Sequence, residues 1–417
     1  MSGYYLIGEH LSHSYSKPIH EAFGRYRYDL LPLAPGEVGA FLRAGSFDGL
    51  NVTIPYKQTV IPYLDALDET AARIGAVNTV LRRDGKLIGY NTDAPGLQAL
   101  LSRHGIRLGG KKVLVLGTGG AAKTARFVAE AAGAATVRMV SRGEKPGAIP
   151  YPEALSAHSD AEVLINATPV GMSPDPDGLP IDPDRFPRLS AAVDLIYNPL
   201  RTRLLLRARQ RGAAAAGGLY MLAAQAALSC AIFTGTSVPE ETVEQVYRTL
   251  RSQTENLVLI GMPGSGKSTV GALVAQRTGR PFVDTDAELV RRRGQSVPEL
   301  FSRIGEAGFR RLESELLREF SAAGGLVIAT GGGAVLDPEN VLRLRQNGRL
   351  FLLDVPPERL APSADRPLSD TPEKLAALYA ARRPVYAACA DVTVSHVDTP
   401  ETAAEEIASA IGKDVVE

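Results

Sequence analysis

The chain has few of the residues that build disulfide frameworks or metal clusters. Its 417 residues include two cysteines, Cys230 and Cys389, which fall in different halves of the chain and show no metal-ligand spacing. We interpret both as small hydrophobic residues that are buried in a protein of a reducing compartment.

Net charge and long apolar runs are also lacking. Lys and Arg together number 46, as do Asp and Glu together, so the chain has no overall basic field of the kind that holds nucleic acid. No run of about 18 apolar residues predicts a membrane span, and the first residues do not resemble a signal peptide. We therefore expect a cytoplasmic protein that binds neither nucleic acid nor a membrane.

The length and the apolar pattern predict an α/β protein of several domains. A chain of 417 residues with 45% hydrophobic residues is long enough for two or three cores. Short apolar runs followed by helix-like patterns are typical of parallel strands covered on both faces. We expect helices at 218–233 and 240–252 and a polar linker at 251–256. The clearest predicted strands are at 112–116, 163–165, 193–196, 257–260 and 325–329.

A glycine-rich turn at 117–122 lies between a predicted strand and a predicted helix. In such a turn Gly117 permits the tight bend, Gly119 lets the backbone approach a pyrophosphate, and Ala122 allows close packing of helix on strand. The helix N-terminus then faces the anion. The pattern also occurs as an ordinary α/β turn, but its context favours a dinucleotide. The predicted contacts are Gly117, Gly119, Gly120, Ala121 and Ala122.

The end of the next strand favours NADP over NAD. NAD-binding units usually carry an acidic side chain about 20 residues after the glycines. Here Ser141 and Arg142 occupy that position, with Lys145 nearby. An arginine there would pair with a 2′-phosphate. The alternative is a solvated arginine at a strand end.

Polar residues cluster at 12–18, 51–57, 75–79 and 89–93. Hydroxyls and amides on separate loops suit a polyhydroxylated ligand, whose donors and acceptors must all be matched. Lys57 and Asp93, if brought together, would supply the proton that a carbonyl takes up when it receives hydride. Each cluster taken alone is equally compatible with turns, helix caps and surface residues.

Eight motifs in order, from residue 4 to about 250, resemble shikimate dehydrogenase. They are Ser14-x-Ser16, Asn51-Val-Thr-Ile-Pro-Tyr-Lys57, Ala76-Val-Asn78-Thr, Asn91-Thr-Asp93, Gly117-x-Gly-Gly-Ala-Ala, Asn166-Ala-Thr-Pro-Val-Gly171, Asp194-x-x-Tyr197-Asn-Pro199 and Gly218-x-x-Met221-Leu-x-x-Gln225. The chain departs from the family at Lys17, which precedes the expected proline, and at Ser141-Arg-Gly143, where Asn-Arg-Thr is more common.

The resemblance implies NADPH-dependent reduction of 3-dehydroshikimate to shikimate. It implies an α/β substrate domain at 1–100, completed by helices at 218–252, and a Rossmann NADP-binding domain at 101–217. Lys57 and Asp93 would be the catalytic pair. Implied substrate contacts are Ser14, Ser16, Thr53, Asn78, Tyr197 and Gln225, and implied cofactor contacts are Asn166, Ala167, Thr168 and Met221.

Residues 261–268, Gly-Met-Pro-Gly-Ser-Gly-Lys-Ser, form a complete phosphate-binding loop between a predicted strand and helix. Lys267 would reach the β- and γ-phosphates, and Ser268 would ligate Mg²⁺. Asp284 is expected to hold Mg²⁺ through water, and Asp286 to accept a proton from a substrate hydroxyl. The predicted nucleotide contacts are Gly264, Ser265, Gly266, Lys267, Ser268 and Thr269.

Further motifs resemble shikimate kinase over about residues 256–412, which implies a P-loop domain with a central parallel sheet. They are Gly308-Phe-Arg310, Gly331-Gly-Gly333, Asp365-Arg-Pro-Leu368 and Arg382-Arg-Pro-Val-Tyr386. Several arginines around one phosphate loop fit an acceptor that bears a carboxylate. Lys267 and Arg366 would stabilise charge on the transferring phosphoryl group. The implied shikimate contacts are Asp286, Arg310, Gly331, Gly332, Gly333 and Arg382.

The product implied for the first half is the substrate implied for the second. The sequence therefore predicts a bifunctional enzyme of chorismate and aromatic amino acid biosynthesis that uses NADP(H) and ATP with Mg²⁺. One alternative is a quinate-type dehydrogenase joined to another small-molecule P-loop kinase, such as a gluconate kinase. Another is a nucleotide-sensing regulator with inactive remnants, against which intact Lys57, Asp93 and Lys267 argue.

Overall fold

The structure, a computed structural model, describes residues 3–11, 14–24, 26–360, 371–395 and 398–411. The chain divides into two compact units. The first comprises Met1–Met172, Gly178–Tyr197 and Arg207–Arg248, and the second comprises Ser173–Asp177, Asn198–Leu206 and Thr249–Glu417. No helix among the described residues is long and apolar enough to cross a membrane.

The first sheet of unit 1 is mixed and has the strand order β2-β1-β3-β5-β6-β4. Its strands are β1 (Tyr4–Gly8), β2 (Tyr28–Pro32), β3 (Gly49–Val52), β4 (Ala66–Leu67), β5 (Thr79–Arg83) and β6 (Lys86–Tyr90). β1 pairs in parallel with β2 and β3, so the carboxyl ends of β1 and β3 meet at one edge. The accompanying helices are α1 (Ser16–Phe23), α2 (Val38–Ala44), α3 (Glu69–Ile74) and α4 (Asp93–Arg103).

The second sheet is all-parallel, with the order β12-β11-β10-β7-β8-β9. Its strands are β7 (Lys112–Leu116), β8 (Thr136–Ser141), β9 (Ala148–Pro150), β10 (Val163–Asn166), β11 (Ala191–Asp194) and β12 (Ala214–Gly217). The chain runs outward from β7 in both directions, which makes the carboxyl end of β7 the switch point where dinucleotides bind. The helices are α5 (Gly120–Ala131), α6 (Tyr151–Ser156) and α7 (Arg203–Gln210).

Two helices follow this sheet, α8 (Leu219–Thr234) and α9 (Glu240–Thr254). Helix α8 packs closely on α4 because Gly96 has no side chain. A Cβ at Gly96 would lie 2.9 Å from Gln225 Cβ and 3.2 Å from the Met221 carbonyl oxygen. Gln225 is thereby held beside the start of α4, where Asp93 lies.

The third sheet lies in unit 2 and is parallel, with the order β14-β15-β13-β16-β17. Val258 and Ile260 point into one apolar core, and Leu257 and Leu259 into another, so β13 is covered on both faces. The strands are β13 (Asn256–Ile260), β14 (Phe282–Asp284), β15 (Val327–Ala329), β16 (Gly348–Leu352) and β17 (Val392–Thr393). The helices are α10 (Lys267–Thr278), α11 (Thr285–Arg293), α12 (Val297–Ala322), α13 (Pro338–Asn347), α14 (Pro372–Cys389) and α15 (Pro400–Ser409).

The α/β class is confirmed, but three local predictions differ from the structure. The strand expected at 193–196 lies at Ala191–Asp194, because buried alanines continue it upstream. The strand expected at 325–329 is shorter and spans Val327–Ala329, because Gly325, with a φ of +76°, lies in the bend before it. The expected polar linker is mostly helix, since α9 continues to Thr254. Glu255, the residue between α9 and β13, is buried and pairs with Arg349 at 3.2 Å.

Candidate active sites

Lys57 and Asp93 form an ion pair in unit 1. Lys57 lies on the turn after β3, and Asp93 is the first residue of α4. The Lys57 ammonium group donates to Asp93 Oδ2 at 2.5 Å, and the two side chains are 17% and 8% exposed. The structure thus brings together two residues that are 36 positions apart in sequence. A lysine held in this way can deliver a proton to an oxygen placed beside it.

The Asn78 amide contacts the same carboxylate and links it to Gln225. Asn78 donates to Asp93 Oδ1 at 3.0 Å and to Gln225 Oε1 at 3.2 Å. The Thr92 backbone N–H donates to Asn78 Oδ1 at 2.7 Å, which fixes the orientation of the amide. Two of the predicted substrate contacts, Asn78 and Gln225, therefore lie next to the predicted catalytic pair.

The two predicted serines also lie together. Ser14 Oγ donates to Ser16 Oγ at 3.1 Å and accepts from the Ser16 N–H at 3.2 Å. Lys17 follows Ser16 in the chain, and its ammonium group forms an ion pair with Asp29 at 2.8 Å. The departure from the family pattern at Lys17 thus leaves the serine pair intact.

Thr53 and Tyr197 come from different elements of unit 1. Thr53 follows β3, and its N–H donates to the Ile7 carbonyl at 2.9 Å, at the edge where β1 and β3 end. The Tyr197 ring lies 5.6 Å from the Tyr15 ring, and burial raises the pKa of the Tyr197 hydroxyl. Tyr15 sits between Ser14 and Ser16, so this contact brings Tyr197 towards the serine pair.

The glycine turn lies against the ion pair. A Cβ at Gly120, the first residue of α5, would meet Lys57 Cβ at 3.3 Å. Gly117 has a φ of +113° and would place a Cβ 3.1 Å from the Ala167 carbonyl oxygen. A Cβ at Gly119, the N-cap of α5, would meet no described atom within 4 Å. The open space before the helix N-terminus fits a pyrophosphate.

Asn166 shapes the segment after β10. It is fully buried, donates to both carboxylate oxygens of Asp194 at 3.1 Å, and accepts from the Thr168 N–H at 3.0 Å. Its side chain thus holds the turn that carries Ala167 and Thr168. Met221, the other residue expected near the cofactor, is buried on α8.

The end of β8 carries a cation and no acid. β8 ends at Ser141, and Gly117 of the glycine turn donates its N–H to the neighbouring Val140 carbonyl at 2.9 Å. Arg142 is exposed and makes no ion pair with an acidic residue in the described part of the chain. These features fit a cofactor with a 2′-phosphate.

The second site begins at the phosphate-binding loop of unit 2. Lys267 is buried, and its ammonium group donates to the carbonyls of Gly261 at 3.0 Å and Met262 at 2.8 Å. Ser268 Oγ donates to Asp284 Oδ2. The other oxygen of Asp284 caps α11 by accepting from the Asp286 N–H at 3.0 Å. A hydroxyl beside a carboxylate is the kind of oxygen donor set that Mg²⁺ takes together with nucleotide phosphates and water.

The loop at Gly331–Gly333 has no room for side chains. A Cβ at Gly331 would lie 2.8 Å from Asp286 Oδ1 and would also clash with Glu313 Oε1. A Cβ at Gly333 would overlap the guanidinium group of Arg310. The loop backbone therefore lies directly against the predicted substrate-binding acid and arginine.

Further side chains converge on this loop. Arg382 Nη1 donates to the Gly332 carbonyl at 3.1 Å, and the Tyr386 hydroxyl donates to the same oxygen. Arg310 Nη1 donates to Glu313 Oε2 at 2.8 Å. Burial raises the pKa of Glu313, whereas Arg310 opposes that rise. Arg366, predicted to stabilise the phosphoryl group, lies outside the described residues.

Comparisons with known proteins match both halves of the chain. Residues 6–80 match the family model of the shikimate dehydrogenase substrate binding domain, and 218–246 match that of the shikimate 5′-dehydrogenase C-terminal domain. The NADP(+) shikimate dehydrogenase of Moorella thermoacetica is 37% identical over 269 residues, which are 58% of this chain and 91% of that protein. The chain belongs to the shikimate dehydrogenase family. Its residues 263–412 match the shikimate kinase family, so a shikimate kinase domain follows the dehydrogenase region.

Solved structures support the dehydrogenase assignment. Shikimate 5-dehydrogenase of Thermus thermophilus in complex with NADP(H) and shikimate is 35% identical, with a TM-score of 0.52 over 60% of this chain and 99% of that one. Shikimate dehydrogenase 1 of Peptoclostridium difficile is 34% identical, with a TM-score of 0.56 over 60% and 98% of the two chains.

Sequence reasoning missed two polar residues of this dehydrogenase–kinase chain. Glu313 lies three residues after Arg310 on α12, a spacing that places two helix residues side by side. Ser229 lies four residues after Gln225 in an otherwise apolar stretch of α8. In both cases a polar residue one helical turn from a predicted contact was the available signal.

Proposed function

We propose that this chain catalyses two consecutive reactions of the shikimate pathway. The first is NADPH-dependent reduction of 3-dehydroshikimate to shikimate, and the second is ATP-dependent phosphorylation of the 3-hydroxyl of shikimate. The observation that carries the proposal is the presence, in one chain, of a dehydrogenase region and a kinase domain whose family substrates are linked as product and substrate. A cytoplasmic location stays a prediction from the sequence.

Lys57 and Asp93 are assigned to the proton transfer of the reduction. NADPH, when bound, supplies hydride to the C3 carbonyl carbon. The carbonyl oxygen takes a proton from the Lys57 ammonium group as its double bond to carbon becomes single. Asp93 accepts the hydrogen bond from Lys57 and holds the ammonium group in place.

The surrounding polar residues are assigned to the substrate and the cofactor. Ser14 and Ser16 are proposed to bind the carboxylate, and Arg142 the 2′-phosphate of NADP(H). The pyrophosphate is assigned to the turn at 117–122, which borders Lys57. The proposed contacts for the substrate hydroxyls are Thr53, Asn78, Tyr197 and Gln225.

The kinase residues are assigned by the same reasoning. Asp286 takes the proton of the 3-hydroxyl, whose oxygen forms a bond to the γ-phosphorus of ATP while the bond to ADP breaks. Lys267 stabilises the charge of the transferring group, and Mg²⁺, when bound by Ser268 and Asp284, neutralises phosphate charge. Arg310 and Arg382, which approach one glycine loop, are proposed to bind the carboxylate.

We propose three domains, one for binding the substrate of the reduction, one for binding NADP(H) and one for phosphorylation. The substrate domain comprises 1–100 and the helices at 218–252, the NADP-binding domain comprises 101–217, and the kinase domain comprises 256–412. The first two each contain one of the sheets of unit 1, and the third contains the sheet of unit 2.

Product analysis tests the proposal directly. The protein is incubated with 3-dehydroshikimate, NADPH and ATP with Mg²⁺, and the products are identified by mass. We expect shikimate when ATP is left out, shikimate 3-phosphate when all components are present, and no product without NADPH. If the protein reduces neither 3-dehydroshikimate nor a related keto acid, the dehydrogenase assignment is wrong. Oxidation of quinate, but not shikimate, in the reverse direction would favour a quinate-type enzyme.

A further inference from the structure

We propose that Ser229 is a positioning residue for the reduction, acting through a buried hydrogen-bond network behind the Lys57–Asp93 pair. This inference rests on the proposed function. Ser229 lies on α8, is fully buried and does not contact Lys57 or Asp93 itself. Its hydroxyl group nevertheless connects β3, β5 and the residue before α4, the helix that begins at Asp93.

The Ser229 hydroxyl lies at the centre of four polar groups. It accepts from Asn51 Nδ2 at 2.9 Å and lies 3.1 Å from the Gln225 carbonyl oxygen. It lies 2.8 Å from Thr79 Oγ1 and 3.0 Å from Thr92 Oγ1. These partners come from β3, from β5, from the residue before α4, and from α8 itself.

Two further hydrogen bonds connect this cluster to the catalytic carboxylate. Asn78 Nδ2 donates to Thr92 Oγ1 at 2.8 Å and to Asp93 Oδ1 at 3.0 Å. Thr92 Oγ1 also donates to Gln225 Oε1 at 3.3 Å. Ser229 therefore contacts Thr92, and Thr92 contacts the amides of Asn78, which donates to Asp93, and of Gln225.

The donors and acceptors of the network can all be satisfied at once. A serine hydroxyl has one proton and two lone pairs. When its proton goes to Thr92 Oγ1, its lone pairs accept from Asn51 and Thr79, and the proton of Thr92 goes to Gln225 Oε1. Because the cluster is buried, each of these groups needs a partner within the cluster, which restrains the orientation of the amides.

The helix itself does not require this hydroxyl. Alanine has a higher helix propensity than serine and fits the same space. Ala226 and Ala227, just before Ser229, are buried on the same helix. The contribution of the Ser229 hydroxyl thus lies in the network that leads to Asn78, Gln225 and Asp93.

The variant Ser229→Ala tests the inference. We expect the kcat of reduction, measured per NADPH-binding site, to fall roughly tenfold, because small displacements of reacting groups are costly. The KM for NADPH and the kcat of phosphorylation by the same protein should stay at wild-type values. A purely structural role would lower thermal stability without changing kcat per intact site.

Thr234→Ala is the matched control. Thr234 lies on the same helix and donates to the carbonyl four residues before it, Cys230, at 2.8 Å, but it is not part of the network. Its loss should leave reduction unchanged. The double variant Ser229→Ala/Thr92→Val should reduce no more slowly than Thr92→Val alone, because both changes break one route. Thr92→Val also breaks the network from its other end if Ser229→Ala does not fold.

The outcomes separate this inference from the proposed function. A wild-type protein that does not reduce 3-dehydroshikimate would overturn both. An active wild-type protein with an equally active Ser229→Ala variant would overturn only the role of Ser229. Effects of Ser229→Ala and Thr92→Val that multiply would overturn the route through Thr92.

Discussion

Replacement of Lys57 by methionine tests the centre of the reduction chemistry. Methionine retains an unbranched apolar chain but carries no proton to donate. Loss of a positioned proton donor lowers the rate by roughly 10²–10⁴-fold. That range corresponds to about 2.7–5.4 kcal/mol of activation free energy, since each factor of ten is about 1.36 kcal/mol. We therefore expect Lys57→Met to lose reduction almost completely.

The same change has a cost in stability that must be separated from the catalytic loss. The Asp93 side chain, 8% exposed, would lose the Lys57 ammonium group and keep the amide of Asn78. A buried polar group that loses its partner destabilises a protein by about 1–3 kcal/mol, and a charged group by more. Adding Asp93→Asn removes the residual charge, so the double variant should regain stability but not reduction.

Two references make the result interpretable. Phosphorylation of shikimate by the same preparation reports the integrity of the kinase domain, and Lys86→Met removes an exposed lysine from β6. NADPH oxidation is followed by absorbance, and stability by thermal unfolding. Reduction by Lys57→Met at a rate close to that of the wild type would refute the assignment of the proton donor. Recovery of reduction in the double variant would also refute it.

Three further predictions concern residues that we assign to phosphate groups of ATP or NADPH. Lys267→Ala should lower the rate of phosphorylation by roughly 10²–10³-fold and leave reduction intact, which the two assays on one preparation measure. The Cβ added by Gly119→Ala meets no described atom within 4 Å, so this variant should keep the melting temperature of the wild type. Its KM for NADPH should rise roughly tenfold, because the Cβ would occupy the space of the pyrophosphate. Gly36→Ala, at another open position, should change neither quantity. Arg142→Ala should weaken the preference for NADPH over NADH by about 1.5–3 kcal/mol, read as the ratio of kcat/KM for the two cofactors; an unchanged ratio would exclude a contact with the 2′-phosphate.

The fold was predictable where local pattern and burial agree. Continuous apolar runs located β7 and β13 to within one residue, because strands covered on both faces tolerate few polar residues. The small residues of β11 hid its first half, since alanine does not mark a strand. Glu255 looked like part of a polar linker, yet Arg349 and Arg201 neutralise it within unit 2. A charge whose partners are distant in sequence cannot be recognised as buried from its neighbours.

The residues of the candidate sites were predictable from the sequence where they belong to a motif. The pairing of Lys57 with Asp93 and the approach of Asp286 to Gly331 agree with the roles that the motifs imply. Ser229 belongs to no motif, because its role depends on two hydroxyls and an amide that the fold gathers from distant positions. Motifs identify residues that contact ligands, whereas the residues that hold them are recognised only from packing.

The two proposed reactions act on the same oxygen atom, which is protonated in the first and deprotonated in the second. The ketone oxygen at C3 becomes the hydroxyl that the kinase phosphorylates, so it gains a proton at Lys57 and loses one at Asp286. The proposed proton donor is accordingly a cation, Lys57, and the proposed proton acceptor is a carboxylate, Asp286. In both sites the aspartate lies in the first turn of a helix, α4 for Asp93 and α11 for Asp286. Asp93 forms an ion pair with Lys57, whereas Asp286 lies against the backbone of the glycine loop at Gly331. We therefore expect the first aspartate to hold a proton donor and the second to accept a proton, although both lie at similar helix positions.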